Sequence, residues 1–551
     1  MNINIVMNAQ PIFEEADSMN TSRITMEELN FAISRLKNNK APGPDGLPSE
    51  LFKWLNEESR NELLKHLNDC WDTETLEDCM NDANLATIYK KGPTDRPENY
   101  RPIALLNISY KILAIIIHVR LCESLDDKVN PAQFGFRKKK STAQPLFIYR
   151  RIQELQEESG SRFHTLLLDW EKAFDKVDQS RMIQAIRRLG IKEKIIKMIE
   201  AIYKEPRFTI KEGKITTEPR RQLTGIRQGC PLSPYLFILL LTVITHDVKN
   251  NLNLEEQIIV SAGKLHNVDL TELYYADDTL IMASTAAAAE TILQHIELES
   301  GKYNMLLNHT KCIHLRLNDL ERITYMNGTE VPMEQEAIYL GGKIFANGSY
   351  KKEISHRIST TWHTVQKLDL LWKKAPVSIK WRIRVFDAVI VSKLLYGLES
   401  VPFTEQDCNR LDAFQYRGLR KILNIKHPFW SHVKNKDVLE IANTRARNTP
   451  NKQIVPISQR LVHRHINLYG HSIRAEDLDL MKKASMYQDG TRRKSLFRRT
   501  GRPRSKWHTV TRKHTIKHLI SKDIILRFWQ NHMRDNELDH LIVEAAENII
   551  F

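Results

Sequence analysis

Two adjacent aspartates, Asp277 and Asp278, lie inside the string LYYADDTLI at residues 273–281, between aromatic, β-branched and aliphatic side chains. The flanks predict two strands, with Ala276 and Asp277 as the tight turn joining them. Adjacent carboxylates resist ionising together unless a cation compensates them. Two hard cations would do so, and phosphoryl transfer needs such ions. For these residues alone, a solvated Asp-Asp turn weighs equally. A third carboxylate, Asp169, ends the apolar string FHTLLLD at 163–169. That string predicts a buried strand, and a carboxylate at its end is unusual unless paired or bound to metal.

Several other segments must position these groups. Thr25 and Glu28 predict a capping box, opening a helix whose apolar face is Met26, Leu29, Ile33 and Leu36 and which ends at 38–40. The stretch APGPDGLPSE at 41–50 predicts a rigid surface loop, with Pro48 in the first turn of the next helix. Arg101, in NYRPI, could reach a phosphate; read alone, it favours an acidic neighbour. In QFGFRKKKST at 133–142, Phe134 and Phe136 stand beside four consecutive cations, Arg137 to Lys140. Aromatic faces next to Lys and Arg suit a nucleic-acid strand or a triphosphate, against the plainer reading of a solvated charge run. Asp178 is expected to cap a helix with Met182, Ile186 and Leu189 on one face, ending near Gly190. In TGIRQGCPLSP at 224–234, Ser233 is expected to cap, and Pro234 to open, a helix apolar on nearly every side and therefore buried. Residues 351–441 have helical periodicity.

The 551 residues carry 82 Lys and Arg against 67 Asp and Glu, a net charge of +15 that suggests a polyanionic partner. Twelve of those cations, against the single acid Asp489, fall in 481–514. The six cysteines form no CxxC pair, which argues for a reducing compartment and against a zinc ribbon. The first residues lack the basic-then-apolar pattern of a signal peptide. The longest apolar run, 236–244, is too short to cross a bilayer, so no membrane partner is expected.

The strings NKAPGPDGLPSELFK, NYRPIALLNISYKIL, QFGFRKKKSTAQ, LLLDWEKAFDKVD, GIRQGCPLSP, LYYADDTLI, NHTKC and YLGG occur in this order over roughly residues 25–345. Together they resemble the reverse transcriptase of a non-LTR (LINE-type) retrotransposon, closest to the RTE and Jockey-like groups. The segment 346–445, with LLYGLE, is similar to that family's thumb. The strings NLYGHSIRAED and GRPRSKW are similar to its C-terminal region.

The resemblance implies an α/β (α+β) right-hand polymerase. Its parts would be a loose lead-in at 1–20, an N-terminal extension and fingers at 21–160, and a palm at 161–345. A helical thumb at 346–445 and a basic, mainly helical C-terminal region at 446–551 would follow. The implied activity is RNA-directed DNA polymerisation: a DNA primer 3′-hydroxyl extended with dNTPs on an RNA template, using two Mg2+ ions for which Mn2+ can substitute. Asp169 and Asp277 would hold the ions, with Asp278 as a weaker ligand and the Trp170 carbonyl as a further one. Phe174 would exclude a 2′-hydroxyl, and Gln228 and Gly229 would let the backbone approach the incoming base pair. Arg101, Arg137 and Lys138 would grip the triphosphate, and Lys311 would protonate pyrophosphate. In the tail, Arg492, Arg493, Lys494, Arg498, Arg499, Arg502, Arg504 and Lys506 are expected to contact phosphates, with nuclear targeting as the other use of such a run.

The expected compartment is intracellular and reducing, in the nucleus. A group II intron maturase shares these motifs, and a domesticated RNA-binding relic would retain them without turnover. An RNA-directed RNA polymerase usually has Gly before the Asp pair, where this chain has Ala276. The family's upstream endonuclease does not fit in the roughly 20 residues before the first helix, so the primer end is expected from a separate endonuclease or existing DNA ends. Glu476, Asp477 and Asp479 near His471 are the remaining nuclease candidates.

Overall fold

The computed structural model describes residues 10–212, 215–265, 270–446, 453–476, 478–485, 506–507, 510–511 and 513–514. Its strands are β1 (Asp82–Tyr89), β2 (Tyr100–Leu106), β3 (Phe163–Leu168), β4 (Arg207–Glu212), β5 (Ile215–Thr216), β6 (Arg220–Arg221), β7 (Glu272–Tyr275), β8 (Asp278–Ala283), β9 (Ile313–Leu317), β10 (Glu336–Tyr339) and β11 (Gly342–Phe345). Three sheets result. One has the order β2-β1-β4-β5, with β6 also on β4; a second has the order β7-β8-β3-β9; β10 and β11 pair alone.

The four-stranded sheet carries the three candidate carboxylates. Every residue of β3 is buried, His164 and Thr165 included. It pairs antiparallel with β8 on one side and β9 on the other. The Ser233–Asn250 helix is buried on nearly all sides because it has no polar face to give to water. Ser233 does not cap this helix: it occupies the first turn, its hydroxyl lies 3.3 Å from that of Tyr203, and Pro234 follows in the same turn.

The capping box at Thr25 forms, with Glu28 N–H donating to the threonine hydroxyl and the Glu28 carboxylate accepting from Thr25 N–H. The helix it opens, Met26–Arg35, stops earlier than its periodicity suggests, because Leu36 is already extended. Pro48 caps the next helix, Ser49–Lys53, instead of entering its first turn. Asp178 caps the Gln179–Arg187 helix by accepting from Arg181 N–H at 3.0 Å. Beyond β11 the elements of the described residues are all helices, and a separate apolar core running from Ile354 to Leu461 holds most of them together. Among the described residues no helix is long and apolar enough to cross a membrane.

Candidate active site

Strand register brings the carboxylates together. Leu168, the last residue of β3, pairs with Thr279 of β8, so the next residue along each strand places Asp169 opposite Asp278. Tyr275 pairs with Asp278 across a two-residue turn made by Ala276 and Asp277. Three carboxylates separated in sequence thus share one end of the sheet. Asp169 is then pinned from its other side. Its N–H lies 3.4 Å from Cys312 Sγ, and its carbonyl accepts from Asn308 N–H at 2.7 Å. Glu171 N–H donates to the Leu306 carbonyl at 2.8 Å, so the backbone bonds to this neighbouring segment flank Trp170 and leave its own carbonyl outside the ladder. The Trp170 indole donates to the Thr279 hydroxyl at 3.1 Å and ties β3 to β8 at the catalytic end.

The electrostatics follow from this crowding. Asp277 and Asp278 are accessible to water, yet enough protein surrounds them to weaken their hydration. That desolvation, with the charge of Asp169, lifts Asp277 above the usual carboxylate range against the opposing pull of Arg101. Desolvation, then Asp277, then Asp169 push Asp278 up to about 6. Lys311 Nζ stands 3.2 Å from Asp169 Oδ2, both side chains about half exposed. Among the described residues no three His, Cys, Asp or Glu side chains close on a metal position by themselves. The donor set is nonetheless all carboxylate oxygen and collectively anionic, with Asp277 and Asp278 raised in proton affinity, which is the chemistry that suits a hard divalent cation.

The residues expected to bind nucleotide divide into two groups. Arg101 is exposed on β2 and acts on Asp277 through space. Lys138 is exposed too. Arg137 is not available: its guanidinium is engaged by the Asp126 carboxylate at 3.2 Å and by the carbonyls of Asp126, Asn130 and Gln133. Its cationic fork holds a loop together because carboxylate and carbonyls converge on it from within the fold. Lys140 turns the other way, to Asp479 at 3.5 Å. Phe174 is half-buried, stacked on Phe237 at 4.6 Å and 20° and edge-on to Phe136 at 6.4 Å. Gln228 donates to Asp175 Oδ1 at 2.8 Å, and its carbonyl accepts from Ala104 N–H at 2.7 Å. Gly229 has φ +124°, and a β-carbon there would lie 2.4 Å from the Ala104 carbonyl oxygen, so this glycine is required by the approach of β2.

In the tail, Arg492, Arg493, Lys494, Arg498, Arg499, Arg502 and Arg504 lie outside the described residues. Lys506 pairs with Glu158 at 2.6 Å, so its charge is met within the fold and not left open for phosphate. Asp479 meets Lys140, and His471 lies 3.2 Å from Gln144; Asp477 is outside the described residues.

Sequence reasoning missed two features. Gln133, 1% exposed, clamps the Ala276–Asp277 turn: its Oε1 accepts from the N–H groups of Gly135 and Ala276, each at 2.8 Å. Ala132, Phe134 and Tyr274 add backbone bonds at 2.8 and 2.9 Å between this segment and β7. The clamp matters because Ala276 has φ +56°, a conformation that costs a non-glycine residue on the order of 1–3 kcal/mol and persists only when its surroundings enforce it. The second feature is Trp507. It is fully buried, edge-on to Phe147 at 4.7 Å, and donates to the Glu399 carbonyl at 2.8 Å. The string GRPRSKW, read as part of a basic phosphate-binding tail, therefore delivers an anchor. Its lone Trp among cations was the available signal.

An antiparallel sheet that presents three carboxylates at a hairpin, flanked by a second sheet and a helical lobe, defines a nucleic-acid polymerase palm. Residues 88–344 match the family described as "Reverse transcriptase (RNA-dependent DNA polymerase)", a span containing all three carboxylates. That family generally uses divalent metal ions. The chain is 23% identical over 426 residues to "RNA-directed DNA polymerase from mobile element jockey" of Drosophila melanogaster, covering 74% of this chain and 44% of that protein. It is 23% identical over 418 residues to "Retrovirus-related Pol polyprotein from type-1 retrotransposable element R2" of Popillia japonica, covering 73% and 55%. Against "Transposon TX1 uncharacterized 149 kDa protein" of Xenopus laevis it is 26% identical over 294 residues, 52% of this chain and 22% of that one. The chain thus spans between about a fifth and somewhat over half of these relatives. Over residues 88–344 it is thus similar to reverse transcriptases, and over a longer stretch to the polymerases of mobile elements named above.

Proposed function

We propose that the chain extends a primer 3′-hydroxyl with dNTPs on an RNA template. The observation that carries this reading is the register that sets Asp169 opposite Asp278, with Asp277 on the adjoining turn. Asp169 and Asp277 would hold divalent ions, Mg2+ by preference, with Asp278 and the Trp170 carbonyl as further oxygen donors. Bound there, such ions lower the pKa of the attacking hydroxyl and offset the charge of the departing pyrophosphate. Lys311, whose Nζ stands 3.2 Å from Asp169 Oδ2, would be the group that gives a proton to that leaving group. Arg101 and Lys138 meet the triphosphate, while Arg137 supports the loop that carries Lys138. Phe174, braced between Phe237 and Phe136, closes the space a 2′-hydroxyl would need. Residues 161–345 serve as palm and 346–445 as thumb. The chain works in the nucleus, a reading that the run of twelve cations at 481–514 supports, and takes its primer end from a separate endonuclease.

The test is primer extension on RNA with Mg2+. Asp169→Asn and Asp277→Asn should each lower single-turnover extension by on the order of 10³-fold while RNA affinity stays unchanged. Extension near the wild-type rate by either variant sinks the assignment.

A further inference from the structure

The segment NIKHPFWSHVKNK at 424–436 leaves the end of the Glu405–Leu423 helix and contains cations and aromatics but no acid. Phe429 and Trp430 are 71% and 70% exposed, unusually open for rings of this size. They stand edge to face, centroids 5.0 Å apart at 88°, so their faces point in different directions. Lys426, His427, His432, Lys434 and Lys436 are exposed around them.

This display is built, not slack. Arg420, 7% exposed, reaches outward from the helix and donates to the carbonyl of Lys426 at 3.2 Å, to that of Val433 at 2.6 Å and to Asn435 Oδ1 at 3.2 Å. Ser431 donates to the Lys426 carbonyl at 3.0 Å, and His427 Nδ1 accepts from Phe429 N–H at 3.3 Å. Left-handed residues, Asn424 at φ +56° and His432 at φ +57°, turn the chain on either side of the rings. Two large apolar rings are thus held in water by a buried guanidinium, with their ordering entropy spent in advance.

We propose that this loop is a stacking site for an unpaired nucleic-acid strand, separate from the carboxylate site. A ring gains from a base only if the base face is free, and in a duplex those faces are covered by neighbouring bases. The surrounding cations complement the phosphates linking such bases. The partner's identity agrees with the polymerase reading, but the site does not depend on turnover, and binding is measured without extension.

The experiment uses the full chain and a labelled, unstructured oligonucleotide, as RNA and as DNA, titrated by fluorescence anisotropy at several salt concentrations. A duplex of equal length is the comparison. The Phe429→Ala/Trp430→Ala variant should bind the single strand about tenfold or more weakly with the same salt slope, since stacking releases no counterions. Its duplex affinity should change less than about twofold. Neutralising Lys426, Lys434 and Lys436 to Ala should instead flatten the salt slope, by roughly 0.7 for each lost phosphate contact. Trp430→Phe should retain most of the affinity. Wild-type single-strand affinity in the double variant, or equal losses for strand and duplex, overturns the proposal. So does concentration-dependent self-association that the double variant abolishes without altering oligonucleotide affinity, which would make the rings a contact between copies. Loss of extension by Asp277→Asn with stacking intact, or the reverse, separates failure of one reading from failure of the other.

Discussion

Replacing Gly135 with alanine is a direct push on the catalytic turn. The β-carbon would lie 2.3 Å from the Ala276 amide nitrogen and 3.0 Å from the Ala276 Cα and the Tyr275 carbonyl carbon, where ordinary contacts begin at 3.4 Å. The obstructing atoms are backbone, so no side chain can swing aside. Gly135 is not among the glycines with positive φ, so alanine suits its backbone and the perturbation is purely one of space. Either the turn or the loop must retreat by about 1 Å, and a displacement of that size at reacting groups costs on the order of 10²-fold in rate. The Gln133 clamp transmits the shift, since its Oε1 accepts from Gly135 and Ala276 together. Gly135→Ala should therefore lower single-turnover extension about 100-fold while primer–template affinity changes little. Gly301→Ala, whose β-carbon meets nothing within 4 Å, is the control and should be neutral. A folded Gly135→Ala protein that extends within about threefold of wild type would refute the claim that this contact sets the turn.

Other outcomes follow from single side chains. Phe174→Ala should raise rNTP use relative to dNTP, and it should also cost stability because the ring stacks on Phe237; an unchanged ratio in a folded variant argues for a packing role alone. Trp507→Ala should destabilise the protein by about 3–5 kcal/mol, read from urea midpoints, because it empties a fully buried site against Phe147 and leaves the Glu399 carbonyl without its donor. The stacked pair His164 and His314, 3.1 Å apart with Asp319 beyond, is buried between β3 and β9. Burial lowers both histidines, His314 to about 4, so the unfolded chain takes up protons first. Their contribution to stability is full above the ordinary pKa near 6.5 and is lost as pH falls through about 4; His314→Gln should flatten the urea-midpoint profile across that window.

Features that depend on neighbours in the chain were legible in the sequence by itself. The aliphatic, aromatic and β-branched strings named β3, β7 and β8, and the caps at Thr25 and Asp178 needed only residues three positions apart. The adjacent charges of Asp277 and Asp278 raised a cation site as an expectation level with a solvated turn, and the ordered strings carried the resemblance to reverse transcriptases. What the tertiary structure decided was which group faces which. Arg137 and Lys138 are neighbours in one basic run, yet an Asp126 carboxylate and loop carbonyls take the first and leave the second exposed. Ser233 looks like a cap but meets Tyr203, and Trp507 looks like part of a solvated tail but fills a core beside Phe147. Gln133 and Gly135 gave no local sign of their work, because the turn they hold lies more than a hundred residues along the chain. A charge or an amide is promiscuous in what it can bond, so composition names its capacity; only the approach of distant backbone selects its partner.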